Sequence, residues 1–276
     1  MRFGLTGSFG SARQMLDLAV EAEHAGWDGF FTWDGISEIE AFDPWSLLAA
    51  VAVSTSTIRL GATLLTLPLR RPWVVARQAL TVDHLSEGRL VVQVGLGPFD
   101  DGGNSRVSGE ISDPRRRVME LDDTLAILDL AWQGESFSYA GPEYQVHDLV
   151  LRPRPVQSPR IPIWLTASWP APDSMGRAIT WDGVLPSRLC DPIDPLAPAE
   201  IGELVAWVAE RRPADAPTPF DVVVEGVLPD DPAAGCGHLR ALADAGVTWW
   251  IESRWDVDRD TPDRLLELAR RGPPSL

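Results

Sequence analysis

Apolar positions along the 276-residue chain follow two periods in turn. Short runs such as "RFGLT", "GFFTW", "IRLGATLL" and "RLVVQVGLG" read as strands, the last as the continuous apolar kind that parallel sheets bury on both faces. Between them lie segments of helical spacing. In "SARQMLDLAVEAEHAG" the residues Met15, Leu18, Ala19, Ala22 and Ala25 share one face and Gly26 ends the run. Asp43-Pro44 and Asp113-Pro114 each pair a capping carboxylate with a proline at the first helical position, opening "WSLLAAVAVST" and "PRRRVMELDDTLAILDLAWQG". "WVVARQALTVDHLS" supplies the helix between the third and fourth strands.

The region "ESFSYAGPEYQVHDLVLRPRPVQSPR" breaks the rhythm with short strand-like pieces and prolines, and reads as an inserted hairpin. Alternation then resumes with "IPIWLTA", "PDSMGRAITW", "DGVLPS", "APAEIGELVAWVAERR", "FDVVVEG", "PAAGCGHLRALADAG", "VTWWIES" and "TPDRLLELARR". Eight strands alternating with eight helices predict an α/β fold of the (β/α)8 TIM-barrel class in one domain, residues 1–276. The alternative is an open doubly wound sheet, for which "GLTGSFGSA" offers a poor glycine fingerprint.

In such a barrel the chemistry sits at the carboxyl ends of the strands. The pattern places there Thr6-Gly7, Trp33-Asp34, Leu64-Leu65-Thr66, Gly97-Pro98, Thr166-Ala167-Ser168, Ser187-Arg188, Glu225-Gly226 and Glu252-Ser253-Arg254. Asp34, beside Trp33, is the first candidate for a catalytic carboxylate. Glu225 and Glu252 end neighbouring strands and are expected to face one another as an acid/base pair, or else to bind Arg188 or Arg254 as ion pairs. Trp33, Arg188 and Arg254 are candidate substrate contacts. Arg70 and Arg71, where the apolar run breaks, are expected to bond a loop or helix end.

Composition narrows the partners. A net charge of -16 repels phosphate backbones and anionic lipid, so neither nucleic acid nor membrane is expected. No lysine is present, which removes Schiff-base catalysis. Two cysteines, Cys190 and Cys236, and four scattered histidines, His24, His84, His147 and His238, show no metal-ligand spacing, so no metal is expected. The absence of a secretory leader or long apolar span predicts a cytoplasmic protein.

Five stretches together carry a family signal: "AEHAGWDGFFTWD", "TSTIRLGATLLTLPLRRPWVVARQALTVDHLSEGRLVVQVGLG", "LDDTLAILDLAWQGESFSYAGPEYQV", "LRPRPVQSPRIPIW" and "WDGVLP". In these the chain resembles the bacterial luciferase-like monooxygenases, barrels that use flavin or deazaflavin. The resemblance implies an oxidoreductase or monooxygenase acting on a small, fairly apolar organic substrate by hydride transfer or oxygen activation. Flavin mononucleotide (FMN) or coenzyme F-420 would be held by Thr6, Asp34, Thr63, Leu64, Gly97, Thr166, Ala167, Ser168 and Trp169. It also implies a strand bulge with a cis peptide near Thr63-Leu64, and a homodimer. Three departures stand out. Asp34-Gly35 replaces the family's Asp-His. "DDGGNSRVSGE" lacks its acidic-aromatic pair, leaving Asp101 or Glu110 as substitutes. Thr166-Ala167-Ser168-Trp169-Pro170 replaces a Gly-Gly turn whose amides help bind phosphate, and Trp169 can fill that space. They motivate two alternatives: a barrel that has lost its flavin and catalyses a cyclisation or isomerisation, and a non-catalytic partner subunit.

Overall fold

A computed structural model describes residues 1–35, 42–97, 107, 113–188, 195–213, 216, 219–229 and 231–274. In chain order the elements are β1 (Arg2–Thr6), α1 (Ala12–His24), β2 (Gly29–Thr32), α2 (Pro44–Ser54), β3 (Arg59–Ala62), β4 (Leu65–Thr66), α3 (Pro72–Leu85), β5 (Val92–Gly95), α4 (Pro114–Trp132), β6 (Phe137–Ala140), β7 (Gln145–Leu149), β8 (Ile163–Trp169), α5 (Pro172–Ala178), β9 (Gly183–Arg188), α6 (Pro198–Arg211), β10 (Asp221–Gly226), α7 (Pro232–Asp244), β11 (Trp249–Glu252) and α8 (Pro262–Arg271). Helices α2, α4, α7 and α8 begin as the sequence predicts. Asp43, Asp113, Asp231 or Thr261 accepts a backbone N–H and proline follows at the first turn. The chain divides into two compact units, Met1–Phe31 with Thr57–Arg59 and Ile163–Leu276, and Thr32–Ser56 with Leu60–Pro162.

The first unit is built on a parallel sheet in the order β2-β1-β11-β10-β9-β8. Its register aligns Gly4 with both Gly29 and Ile251, Glu225 with Ile251, and Gly183 with Trp164. Side chains alternate across a strand, so this register sorts them into two faces. On one face Trp249 packs on Trp164 and Phe31, with ring centroids 5.4 and 6.1 Å away. A side chain at Gly4 or Gly183 would run into those rings, at 2.7 Å from Phe31 and 2.6 Å from Trp164. On the other face Trp250 meets His238 of α7 edge-on at 5.6 Å. The two neighbouring indoles therefore point oppositely, as strand alternation predicts, and both are buried because a helix covers the outer one.

The second unit joins strands and helices by different devices. Leu60 bridges Leu90 in parallel, and β4 pairs with β5 through Leu65–Val94 and Thr66–Gly95. Arg89 donates to Ala52 O at 2.7 Å and Thr55 O at 2.9 Å at the end of α2, and to Ser86 O at 2.7 Å at the end of α3, satisfying terminal carbonyls of both helices. Strands β6 and β7 form the expected antiparallel hairpin. Tyr139 Oη donates to buried Asp123 Oδ1 at 2.7 Å and Tyr144 Oη to buried Glu120 Oε2 at 2.5 Å, tying the hairpin to α4. His84 reaches Arg154 O at 2.7 Å, a structural role.

One strand differs from its expected form. The run read as "IRLGATLL" is interrupted at Thr63–Leu64 and resumes as β4. The expected cis peptide is not there: among the described residues the cis bonds are Arg152–Pro153, Ser158–Pro159 and Trp169–Pro170. Thr63 N–H keeps the ladder bond to Thr32 O at 2.7 Å, in step with Arg59 N–H to Asp28 O, whereas Thr63 O accepts from the Gln93 side-chain amide in place of a strand N–H, and there the strand breaks. Among the described residues no helix is long and apolar enough to cross a membrane.

Candidate active site

In the first unit, the face that carries Trp249 also carries, toward the carboxyl ends of its strands, Thr6 of β1, Ser253 just past β11, Glu225 of β10, Ser187 of β9, and Thr166 with Ser168 of β8. The strand registers and side-chain alternation fix this. One carboxyl group thus stands in a row of five hydroxyls. Thr6 and Ser253 share a hydrogen bond of 2.7 Å, and Ser253 Oγ donates to Glu225 Oε2 at 3.2 Å. Ser253 N–H donates to Gly226 O at 2.9 Å, locking the serine beside the glutamate. Burial pushes the Glu225 carboxyl above the usual carboxylate range, and the Ser253 hydrogen bond opposes that rise only in part.

Glu252 does not face Glu225. It sits opposite Gly226 in the register, on the face of Trp250, whose Nε1 donates to Glu252 Oε2 at 3.1 Å. Arg254 Nη2 lies 2.8 Å from Glu252 Oε1 and its Nε donates to the same oxygen at 2.9 Å. Burial raises the pKa of Glu252, with Arg254 the main opposing influence. The paired-carboxylate arrangement expected from adjacent strand ends is therefore replaced by two separate ones, because neighbouring register positions fall on opposite faces. Arg188 is likewise committed, donating to Glu200 Oε1 at 2.6 Å and Oε2 at 2.9 Å.

On β8, Thr166 Oγ1 is buried and has no hydrogen-bond partner among the described residues. Ser168 N–H donates to Ser174 Oγ at 3.0 Å, so that amide is taken by the protein itself. Ala167 and Trp169 point to the opposite face. Trp169 packs edge-on against Trp207 of α6 at 6.2 Å and does not occupy the hydroxyl-lined side.

The second unit holds the remaining candidates. Asp34 is gripped by Arg70, Nη2 to Oδ1 at 2.6 Å and Nε to Oδ2 at 3.0 Å. The Arg71 guanidinium lies near enough to the Tyr144 hydroxyl to oppose the upward shift that burial and Glu120 give it. The two arginines that end the third apolar run thus serve a loop carboxylate and the hairpin. Trp33 folds over Gly35, where a side chain would come within 2.9 Å of the ring. Leu64 is partly exposed at the strand interruption. Gly97 has φ +70°, and a Cβ there would stand 2.4 Å from Thr66 Cγ2. Asp101, Glu110 and Cys190 lie outside the described residues. Sequence reasoning placed Ser187 and Ser253 at strand ends without giving either a role, and missed Arg70 as the partner of Asp34. The alternation rule, applied with a register, would have found the serines.

Comparison with known proteins adds the family context. The family model for luciferase-like monooxygenases matches residues 2–226. The F420-dependent glucose-6-phosphate dehydrogenase of Microbacterium testaceum is 33% identical over 184 residues, 62% of this chain and 52% of that protein. The chain spans about half the length of the curated relatives it matches. The monooxygenase RslO1 from Streptomyces bottropensis superposes with a TM-score of 0.81 at 18% identity, covering 98% of this chain and 97% of that one. The coenzyme F420-dependent tetrahydromethanopterin reductase from Methanopyrus kandleri gives 0.75 at 16% identity, covering 98% of both. At such identities the likeness shows the fold, which is the (β/α)8 class expected from the sequence.

Proposed function

We propose, from the premise that this chain belongs to the luciferase-like monooxygenase family, that it is a deazaflavin-dependent oxidoreductase acting on a small organic alcohol or carbonyl compound. The observation that carries the proposal is the row of hydroxyls at the strand carboxyl ends, with the buried, unpartnered Thr166 Oγ1 among them. A buried hydroxyl without a partner costs about 1–3 kcal/mol, which a bound polar group would recover. The chemistry of this face suits a coenzyme rich in carbonyl, hydroxyl and phosphate oxygens. Thr166 and Ser168 would hold it by their hydroxyls. With the Gly-Gly turn absent and Ser168 N–H already donated to Ser174, the phosphate contact shifts from backbone amides to these side chains. A reduced deazaflavin supplies a hydride. The protein's part is to orient the reactants, exclude water and manage the accompanying proton.

The F420-dependent relative supports the deazaflavin over FMN. The proposal is tested by fluorescence titration of the purified protein with the deazaflavin coenzyme and, separately, with FMN. Saturable micromolar binding of the deazaflavin, weakened several-fold by Thr166→Val, supports it. Preference for FMN moves the reading to a flavin enzyme. Binding of neither by folded protein overturns it and favours a flavin-free barrel.

A further inference from the structure

We propose that Glu225 is the acid-base group of this site and that Ser253 and Thr6 are the positioning residues that set its proton. The inference deepens the deazaflavin reading and rests on it for the identity of the reaction. Three carboxylates at strand ends are candidates, and their partners separate them. Asp34 gives both oxygens to Arg70. Glu252 is bonded to Arg254 and lies on the opposite face of the sheet from the hydroxyl row. Glu225 has a neutral partner only. Its Oε2 accepts from Ser253, and its Oε1 carries no partner among the described residues.

The hydroxyl chain has a fixed sense. Ser253 has one proton and donates it to Glu225, so Thr6 is the donor in the 2.7 Å bond to Ser253. Thr6 is 0% and Ser253 3% exposed, so the chain lies out of water while Glu225 is partly open. Such a chain favours the carboxylate by polarising each successive O–H bond. Burial favours the neutral acid. The two oppose one another at one atom, which is what a group that both gives and takes a proton requires. The residues beside Glu225 on its own face are Ile251 of β11, Ser253 just past it and Ser187 of β9, none of them charged. Reducing a carbonyl adds a hydride at carbon and a proton at oxygen. Glu225 gives the proton, C=O becomes CH–OH, and the carboxylate left behind regains a proton from water. Oxidation of the alcohol runs the same transfers in reverse.

The test is infrared spectroscopy of the whole protein across pH, which reads the C=O stretch of a protonated carboxyl without needing substrate. The wild type is expected to show a protonated-carboxyl band at pH values where ordinary glutamates are ionised. Glu252 and Asp221 are raised by burial as well, so the Glu225 component is read as the wild-type minus Glu225→Gln difference; it should be present in that difference and persist in Glu225→Asp. Ser253→Ala removes the donor to the ionised form, so the band's titration midpoint should move upward, an effect that packing alone would not produce. Adding the oxidised deazaflavin coenzyme should shift the band in the wild type. A wild-type minus Glu225→Gln difference without a protonated-carboxyl band, or an unmoved midpoint in Ser253→Ala, overturns the inference. Should Glu225→Gln fail to fold, the Ser253→Ala midpoint decides alone. Coenzyme binding without the band sinks this inference and leaves the proposed function. The band without coenzyme binding sinks the proposed function and leaves Glu225 as the site's acid.

Discussion

Arg70 holds Asp34 by both carboxylate oxygens, a fork-on-fork pair at 2.6 and 3.0 Å with the two side chains 24% and 9% exposed. The geometry explains why the apolar run "TLLTLP" ends in arginine. The loop carboxylate after β2 is held 36 residues away in sequence, by a guanidinium that leaves the chain immediately after a short 3-10 turn at Leu67–Leu69. Both carboxylate oxygens of Asp34, next to Trp33 in the chain, are therefore committed to Arg70.

Breaking this pair from one side leaves a partly buried charge alone. Arg70→Ala and Asp34→Ala should each destabilise by about 1–3 kcal/mol, below the range for fully buried pairs because Arg70 is partly solvated. Arg70→Lys should recover less than half of the loss, since an ammonium cannot grip both oxygens. Urea unfolding of the two single variants and the double variant checks this, with a coupling near zero counting against a working pair.

Gly97 and Thr66 make a second testable contact. Gly97→Ala should cost about 1–3 kcal/mol from the positive φ alone, and overlap with Thr66 adds to it. Thr66→Ala removes the two atoms that stand at 2.4 and 2.5 Å, so the double variant should be less destabilised than the sum of the singles. Additivity in thermal unfolding would show that the overlap is relieved some other way.

The hairpin latch predicts an order of effects. Asp123 keeps two backbone donors, Glu143 N and Tyr144 N at 2.9 Å, when Tyr139 is changed to Phe. Glu120 keeps only the more distant Arg116 at 3.6 Å when Tyr144 is changed. Tyr144→Phe should therefore cost more, about 1.5–3 kcal/mol against roughly 1 for Tyr139→Phe. Burial and the Asp123 carboxylate push the Tyr139 hydroxyl up to about 12. Its contribution is complete below the unfolded value near 10 and is lost as pH rises from about 10 toward 12. Alkaline unfolding curves of the wild type and Tyr139→Phe should converge across that window, and parallel curves would contradict the latch.

The sequence yields the order of elements because most strands are short apolar runs and several helices, α2, α4, α7 and α8, open on a capping side chain followed by proline. Two things it cannot yield are register and distant pairing. Glu225 and Glu252 look equivalent as strand-end acids. Their difference arises because Glu225 aligns with Ile251 while Gly226 aligns with Glu252, which sends the two carboxyls to opposite faces. Arg70 and Asp34 have nothing in their local sequence to join them. The break of the third strand at Thr63–Leu64 involves a buried Gln93 amide on Thr63 O, a partner in another strand that the local sequence does not reveal.

The raised pKa of Glu225 carries a stability consequence with a definite sign. Because the folded protein holds this proton more tightly than the unfolded chain does, folding binds protons in the interval between the two pKa values. Stability must then fall as pH rises from the unfolded value, about 4.3, through the folded one, and remain lower above it. Glu225→Gln keeps the shape, accepts the Ser253 hydroxyl and carries no charge at any pH. It should therefore match the wild type in stability near pH 4 and exceed it at neutral pH, while any chemistry that needs the proton is lost. Glu252 and Asp221 are shifted in the same direction by burial, but both are unchanged in this comparison and cancel from the difference. Chemical denaturation of the two proteins from pH 4 to pH 8 measures the gap directly. A gap that opens with rising pH shows that a destabilised carboxyl is retained at the strand ends at the expense of stability, as expected of a site kept for its chemistry. A gap that is constant with pH would show that Glu225 titrates as an ordinary surface glutamate.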